Sequence, residues 1–363
     1  MCQTAAGGVE APVAAQILEQ WGWKSAHTTY VDWYGQDYAW AWWPPIAYGP
    51  RTSDLSAGKL LSPFADQQKS WRFRHWLGTD QLGYDVAAKL IWGTRTSLVV
   101  GLGAAFLAGI IGLLLGAPAA YFGDDKKRIS LAHLGAGGAG LFLGAFWGFV
   151  SRYYLVLEGH LNSYLLGGLC ILSLMTLMGI AIGSGLMRYG WGIRQFRIPL
   201  DSMVMRLVET LNAIPALILL LAFVAVVREP SLRSVVLILG LLGWTPMARF
   251  VRGELLRIRN MEYIEAAQSF GFSDARILWQ HALPNALGSV YIIVAFSIAG
   301  AIIAEASLSF LGIGIPADTA TWGGALASAR QASASAWWLA VFPGLAIFVT
   351  VTIFNLLGDE LSE

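Results

Sequence analysis

Long apolar runs separated by short polar links dominate the chain from Thr96 onward. A helix that spans a bilayer needs about 20 mostly apolar residues. Pro215 and Pro246 interrupt two of the runs, which helices in lipid tolerate where neighbouring groups satisfy the freed carbonyls. The pattern predicts an all-α fold, a polytopic transmembrane helix bundle of about seven spans. The predicted spans are 96–121, 131–150, 164–187, 203–227, 234–250, 289–313 and 337–357.

Composition agrees with a membrane class. Of the 363 residues, 56% are hydrophobic and only 13% are charged, whereas a soluble domain carries about 25% charged residues. The formal net charge is +1. No basic stripe is present that could neutralise phosphates, so nucleic acid is not expected as a partner.

The distribution of basic residues predicts the orientation. They gather in the links after the first, third and fifth predicted spans, and by the positive-inside rule these links are cytoplasmic. The C-terminus is then cytoplasmic and residues 1–95 are outside. Eight of the sixteen tryptophans lie before residue 77 of this outer region, which suits either a loop resting near lipid headgroups or a small cap with a Trp-rich core. The basic residues are Lys126, Lys127, Arg128, Arg188, Arg194, Arg197, Arg249, Arg252, Arg257, Arg259 and Arg276.

Motifs for enzymatic chemistry are absent from the sequence. It contains no HExxH, CxxC or GxSxG, and the one Gly-Lys pair, Gly58-Lys59, continues with Leu60 instead of the Ser or Thr of a phosphate-binding loop. We therefore expect no enzyme and no metal site in this chain. Asp80 and Asp85, in a Gly-containing stretch, are interpreted as turn and cap residues. Any uphill transport would draw on an ion gradient or on another subunit.

Glu305 is the best intramembrane polar candidate. It lies within the apolar stretch Ala-Ile-Ile-Ala-Glu-Ala-Ser-Leu-Ser, and ionisable residues inside a membrane are costly and usually functional. A structural role, bonded to neighbouring helices, is favoured over a transport role. An ion-coupled secondary transporter nevertheless stays open as the alternative function.

The link at 251–288 is the most informative stretch. Asn260 is predicted to cap a short helix over 261–270 that stops at Gly271, a residue suited to the left-handed position after a helix. Ser273 is predicted to cap a second short helix that ends before Pro284.

The residue types on the first of these short helices are unusual for a connector. Ala266 and Ala267 provide a flat surface beside Glu265. Tyr263 and Phe270 flank it, and aromatic residues are frequent anchors of protein interfaces. Docking of another protein and an amphipathic helix lying on lipid both fit this pattern.

Several motifs together resemble one family. Glu-Ala-Ala at 265–267, Gly271 and Leu283-Pro284 resemble the EAA loop of ABC importer permeases. Further stretches resemble the dipeptide/oligopeptide/nickel subfamily. They are HWLGTDQLGYD (75–85), GTRTSL (93–98), ETLNAIPALILLLAF (209–223), EASLSFLGIGIP (305–316), TWGGAL (321–326) and WWLAVFPGLAIFVTVTIFNLLGD (337–359).

The resemblance implies a permease subunit of an ATP-driven, binding-protein-dependent importer of di- or oligopeptides in the inner membrane. It implies a second permease subunit, ATP-binding ABC subunits and an extracytoplasmic peptide-binding protein as partners. ATP-Mg would bind the ATPase subunits, with no cofactor in this chain. The residues implied to couple to the ATPase are Tyr263, Glu265, Ala266, Ala267, Phe270, Gly271, Leu283 and Pro284.

The resemblance also divides the chain. Residues 1–95 form the extracytoplasmic region, which shows no counterpart of the span that normally opens the family, so either a truncated or misassigned start or the loss of that helix is expected. Residues 96–123 are the first permease span, 124–199 an inserted segment of two spans, and 200–363 the permease core with its coupling loop at 251–288. Tyr84 stands where the family pattern usually has Arg.

Overall fold

The computed structural model describes residues 2–4, 9–10, 38–41, 46, 48–54, 59–67, 71–125, 128–157, 161–191, 195–227, 231–316, 318–332 and 335–360. The chain forms two compact units. Unit 1 comprises Met1–Ile111, Ile214–Met247 and Gly288–Glu363. Unit 2 comprises Gly112–Ala213 and Ala248–Leu287.

Helices dominate the described residues. In chain order they are α1 (Val86–Phe122), α2 (Leu131–Ala145), α3 (Tyr154–Leu157), α4 (Leu161–Arg188), α5 (Leu200–Asn212), α6 (Ala216–Val226), α7 (Leu232–Ile258), α8 (Glu262–Ser269), α9 (Asp274–Arg276), α10 (Leu283–Phe310), α11 (Trp322–Ala327) and α12 (Trp338–Glu360). Wider π-helical turns follow α2 at Phe146–Val150 and α9 at Ile277–Ala282. Short 3-10 turns occupy Trp71–Phe73 and Ser328–Gln331.

The strands in the described residues are short. β1 (Cys2–Thr4), β2 (Val9–Glu10) and β3 (Tyr38–Ala41) form an antiparallel sheet in the order β2-β1-β3. β4 (Arg128–Ser130) and β5 (Gln195–Arg197) form a separate antiparallel ribbon. A large part of the predicted Trp-rich outer region, including Trp42 and Trp43, lies outside the described residues.

Within the described residues, six helices are long and apolar enough to cross a membrane, and a bent pair raises the number to seven if it counts as one span. The all-α bundle prediction is therefore confirmed. The fourth predicted span, 203–227, is however not one straight helix, because α5 and α6 meet at a bend of 84°. Pro215 lies at this break. Its ring cannot continue the helix of the preceding turn, which is why the break falls there.

The first span belongs to a helix that begins earlier than hydropathy predicts. α1 starts at Val86, within the region assigned to the outer domain, and not at Thr96. Asp85 caps it, since its Oδ1 accepts a hydrogen bond from the backbone N–H of Ala88 at 2.6 Å. Hydropathy identifies only the part of a helix that is apolar enough to lie among lipid chains. It therefore does not predict the more polar first turns of α1.

The helix of the fifth predicted span continues beyond its apolar run for the same reason. α7 continues to Ile258, eight residues beyond the predicted end at 250. Arg249 and Arg252 lower the hydropathy there, but Val251, Leu255 and Ile258 are fully buried. Their spacing of four and three residues keeps one apolar face on the helix. The predicted loop at 251–288 thus opens with the end of a long helix.

Unit 1 has its core between helices that the sequence separates widely. One cluster joins Val100 and Ala104 of α1 to residues of α6, α7 and α10. A second joins Ile298 and Ile302 of α10 to Trp322 of α11, with α12 packed against it. These clusters fix the positions of α1, α10 and α11 around Glu305.

In unit 2, α2 and α4 form a hairpin packed through glycines. A Cβ on Gly140 would lie 2.3 Å from the Met175 carbonyl oxygen, and one on Gly179 would lie 2.3 Å from the Ala136 oxygen. Gly144 approaches the backbone of Leu172 in the same way. Ala136, Gly140 and Gly144, small residues at four-residue spacing on α2, therefore bring the two helix backbones into contact.

The two ends of the segment 124–199 lie side by side. Arg128 of β4 pairs with Arg197 of β5 in antiparallel register. Asp124, the first residue of the segment, accepts hydrogen bonds from the Ser202 backbone N–H at 3.0 Å and from its hydroxyl at 2.5 Å. The bond from the Ser202 hydroxyl is the main cause that holds the pKa of Asp124 below its ordinary value.

Candidate functional site

The candidate site is the segment from α8 to the start of α10 in unit 2. α8 begins after Met261, and Glu262 and Glu265 lie in its first turn, where the helix dipole favours acidic side chains. Asn260 does not cap α8 as predicted. Its side-chain amide donates to the Leu256 carbonyl oxygen at 3.2 Å, because α7 ends only two residues earlier.

Gly271 ends α8 in the way that the sequence predicts. Its φ is +79°, in the left-handed region that favours glycine, and its N–H bonds to the Gln268 carbonyl at 2.9 Å. Ser273 then caps α9, since its hydroxyl accepts from the Arg276 N–H at 3.4 Å. A helix–glycine–helix segment is therefore present.

The second helix does not end before Pro284, contrary to the prediction. α9, the π-helical turn at Ile277–Ala282 and α10 run on as one apolar helix from Asp274 to Phe310. Pro284 lies in the first turn of α10 directly after the π turn. A proline is tolerated where the local ladder of hydrogen bonds has already changed, and π turns are such places.

The eight predicted coupling residues divide into two sets. Ala267 and Leu283 are buried within the chain, and Ala267 lies on the inner face of α8 beside the fully buried Ile264. The others face outward from the chain. The exposed set is Tyr263, Glu265, Ala266, Phe270, Gly271 and Pro284. The flat surface predicted for two alanines is therefore formed by Ala266 alone.

Aromatic exposure in this segment is high. Phe270 is 81% exposed and Tyr263 is 40% exposed. Phe272 stacks on His281 with ring centroids 5.7 Å apart, and the Arg276 guanidinium lies 4.5 Å from the Phe272 ring centroid. This stacking keeps the second half of the segment in place, whereas Tyr263 and Phe270 remain exposed.

Sequence reasoning missed the residues that hold the segment from within. Tyr121, at the end of α1, donates a hydrogen bond to Asp274 Oδ1 at 3.2 Å. Arg259 donates to the Ala120 carbonyl oxygen at 3.1 Å. Arg252 of α7 makes two bonds of 2.5 Å to the Asp201 carboxylate of α5. No motif contains these pairs, because their partners lie 51 to 153 positions apart in the sequence.

Glu305 lies in unit 1, is fully buried and makes hydrogen bonds on both carboxyl oxygens. Oε2 accepts from Ser97 of α1 at 3.1 Å, and Oε1 accepts from Ser309, one turn along α10, at 2.7 Å. Ser97 also accepts the Trp322 backbone N–H of α11 at 3.3 Å. This arrangement supports the structural interpretation of Glu305, since the carboxyl group and Ser97 together join α1, α10 and α11.

The stretch His75–Asp85 forms a closed polar cluster before α1. Asp80 accepts from the Leu82 and Tyr84 backbone N–H groups and pairs with Lys89, so it is a turn residue as interpreted. His75 is fully buried, with Nδ1 2.8 Å from Asp85 Oδ2. Within the part of the chain that the structure describes, no three His, Cys, Asp or Glu side chains group as a metal site would require.

Comparisons with known proteins place the chain in a family. The family described as binding-protein-dependent transport system inner membrane component matches residues 176–362. A putative peptide transport system permease protein of Brucella suis is 39% identical over 196 residues, which cover 54% of this chain and 63% of the relative. A glutathione transport system permease protein of Pectobacterium atrosepticum is 30% identical over 289 residues, 80% of this chain and 71% of the relative.

Two further matches have lower identity. An oligopeptide transport system permease protein of Bacillus subtilis is 28% identical over 310 residues, 85% of this chain and 76% of that protein. A solved structure of the MetNI methionine ABC transporter in an inward-facing conformation is 16% identical, covers 75% of this chain and 94% of its own, and has a TM-score of 0.44. The family model matches more than half of the chain, and six helices of spanning length accompany it. The chain is a multi-pass inner-membrane protein that belongs to the family of inner-membrane components of binding-protein-dependent transport systems.

Proposed function

We propose that this chain is the permease subunit of an ATP-driven importer of peptides, and that it couples to a separate ATPase through α8. Family membership supports the importer class. The names of the relatives from Brucella suis, Pectobacterium atrosepticum and Bacillus subtilis refer to peptide, glutathione and oligopeptide transport, which supports a peptide substrate.

The observation that carries the coupling proposal is the outer face of α8. Tyr263, Glu265 and Ala266 face outward, while Ile264 and Ala267 anchor the helix to its own chain. An exposed aromatic next to a small residue lets a partner groove approach the helix backbone and bury the ring. Phe270, at the end of the helix, extends this apolar surface.

The orientation follows the basic residues near this segment. Arg257, Arg259 and Arg276 lie on it or beside it, and such clusters favour the cytoplasmic side. The C-terminus is then cytoplasmic and the His75–Asp85 cluster faces outward, toward an extracytoplasmic peptide-binding protein. A second permease subunit would complete the pathway, and ATP-Mg would bind only to the ATPase subunits.

The ion-coupled alternative loses its support. Its basis was a single buried carboxylate, and Glu305 makes hydrogen bonds to Ser97 and Ser309 within the chain. The family to which the chain belongs works with a binding protein. We therefore retain the importer as the proposed function.

Purification of the tagged complex in detergent tests the proposal. The wild-type chain is expected to retain an ATPase whose activity rises with peptide-loaded binding protein. Glu265→Arg should release that ATPase, because a cation replaces the exposed carboxylate in the docking face. Glu360→Arg is the matched control, since Glu360 is also exposed but lies at the end of α12.

The outcomes separate the parts of the proposal. A wild-type chain that elutes without any ATPase would refute the importer function. An ATPase that stays bound to Glu265→Arg at wild-type level would refute the placement of Glu265 in the contact. Uptake of labelled di- and oligopeptides into proteoliposomes with the full complex then tests the substrate class.

A further inference from the structure

Tyr121 is a buried phenol at the end of the first long helix. Its exposed fraction is 0%, and α1 ends one residue later, before Gly123 with φ +58°. A buried tyrosine normally places its hydroxyl against a polar partner. The two polar partners of Tyr121 lie on the two short helices α8 and α9.

The phenol bonds to both halves of the segment between α8 and α9. Its hydroxyl donates to Asp274 Oδ1 in the first turn of α9 at 3.2 Å. The Gln268 side chain of α8 also makes a hydrogen bond to it. Gly271 lies between these two partners, so a single side chain of α1 bridges the turn that separates the helices.

The surroundings of Tyr121 leave α1 little freedom to move alone. Ala117 and Ala120 are fully buried beside it. A Cβ on Gly116 would lie 2.7 Å from the Ala248 carbonyl oxygen, so α1 and α7 are in backbone contact one turn earlier. Arg259 at the end of α7 binds the Ala120 carbonyl. In unit 2, a displacement of α8 and α9 is therefore passed to α1 through the phenol and to α7 through the adjacent contacts.

We propose that Tyr121 is a positioning residue that transmits movement of the α8–α9 segment to α1 during ATP-driven transport. The inference rests on the proposed function and adds the specific side chain through which the spans respond. Tyr121 is buried and outside the docking face, so its loss should leave ATPase docking intact. It should raise the number of ATP molecules consumed per substrate moved.

The test uses Tyr121→Phe in the full complex, reconstituted in proteoliposomes. This substitution removes only the hydroxyl and keeps the buried ring. One hydrogen bond is worth about 0.5–1.5 kcal/mol, so the ratio of ATP hydrolysed to peptide imported should rise by about 2- to 10-fold. Tyr189→Phe is the matched control, because Tyr189 is 85% exposed.

Asp274→Ala is the second variant, and it removes the acceptor of the Tyr121 hydrogen bond. If the bond itself transmits movement, Asp274→Ala should raise the same ratio, and the double variant should be no worse than the worse single variant. The inference is overturned if Tyr121→Phe keeps the wild-type ratio. It is equally overturned if Tyr121→Phe releases the ATPase, since the residue would then only hold the docking face in shape. A wild-type complex without peptide-dependent ATPase activity would instead refute the proposed function, independently of Tyr121.

Discussion

The Ser97 hydroxyl donates a hydrogen bond to Glu305, a residue 208 positions further along the chain, at 3.1 Å. Both side chains are fully buried, and the bond links α1 to α10 in unit 1. Burial of a carboxyl group in a bundle is costly unless every oxygen finds a partner. This bond and the bond from Ser309 provide those partners.

Replacing Glu305 by Ala is expected to destabilise the protein, because the hydroxyls of Ser97 and Ser309 lose their acceptor. The cost of such an unsatisfied buried group is about 1–3 kcal/mol. Glu305→Gln keeps an acceptor oxygen and should retain both stability and transport. Thermal unfolding in detergent measures the first effect and peptide uptake the second. A transport-dead but stable Glu305→Gln variant would contradict the structural role.

Two serines of α10 form a matched pair for the same question. Ser309→Ala removes a bond to Glu305, whereas Ser307→Ala removes only a bond to the Ile303 carbonyl of its own helix. We expect Ser309→Ala to lower the unfolding temperature and Ser307→Ala to leave it near wild type. Equal effects of the two substitutions would show that Glu305 does not depend on its serine partner.

Gly140→Val should disrupt the hairpin of α2 and α4. The added Cβ would meet the Met175 carbonyl oxygen at 2.3 Å, and overpacking of this kind costs about 1–3 kcal/mol. Gly138→Val places the same side chain on the same helix where nothing lies within 4 Å. A fall in the unfolding temperature for Gly140→Val alone is expected, and similar falls for both would indicate only a loss of helix propensity.

Ser202→Ala should lower the folding stability of the protein by an amount that depends on pH. The Ser202 hydroxyl lowers the pKa of Asp124 below the ordinary value of 3.8. A carboxyl group with a lowered folded pKa stabilises the protein above its unfolded pKa and loses that contribution as pH falls through the folded pKa. The stability difference between wild type and Ser202→Ala should thus be constant from about pH 7 to pH 5. It should shrink only below 3.8, and a difference unchanged at lower pH would contradict the assignment.

Substitution of Gly271 should impair the α8–α9 segment through backbone strain alone. A Cβ there would meet nothing within 4 Å, but φ is +79°. Leu in the left-handed region costs about 1–2 kcal/mol, and Asn is tolerated better. Peptide-stimulated ATPase activity should therefore fall in the order Gly, Asn, Leu. Gly253→Leu on α7, also in open space, is the control. Full activity of Gly271→Leu would remove this turn from the coupling mechanism.

The structural features that the sequence predicts correctly are those that depend on residues close together in the chain. The second span, predicted at 131–150, coincides with α2 and its π turn. The left-handed turn at Gly271 and the cap at Ser273 depend on single residue types and were predicted correctly. Helix ends at Val86 and Ile258 were not, since they lie in polar sequence beyond the apolar run.

Local composition also does not predict which residues of a short helix are buried. Ala266 and Ala267 are identical side chains one position apart, and only the packing of α8 on the rest of unit 2 decides that Ala267 faces inward. Tyr121 was missed because its partner Asp274 is 153 positions away. The sequence around a tyrosine near the end of an apolar run does not indicate such a distant partner.

The glycine-packed hairpin of α2 and α4 returns the chain to the place where it leaves α1. Its entry and exit are neighbours, joined by the β4–β5 ribbon and by the bond between Asp124 and Ser202. A pair of spans that buries its own contact faces and returns to its starting point leaves the sidedness of every later span unchanged. The helices that follow can therefore keep their positions whatever the length of the pair, and a short link would suffice to join the end of α1 to the start of α5.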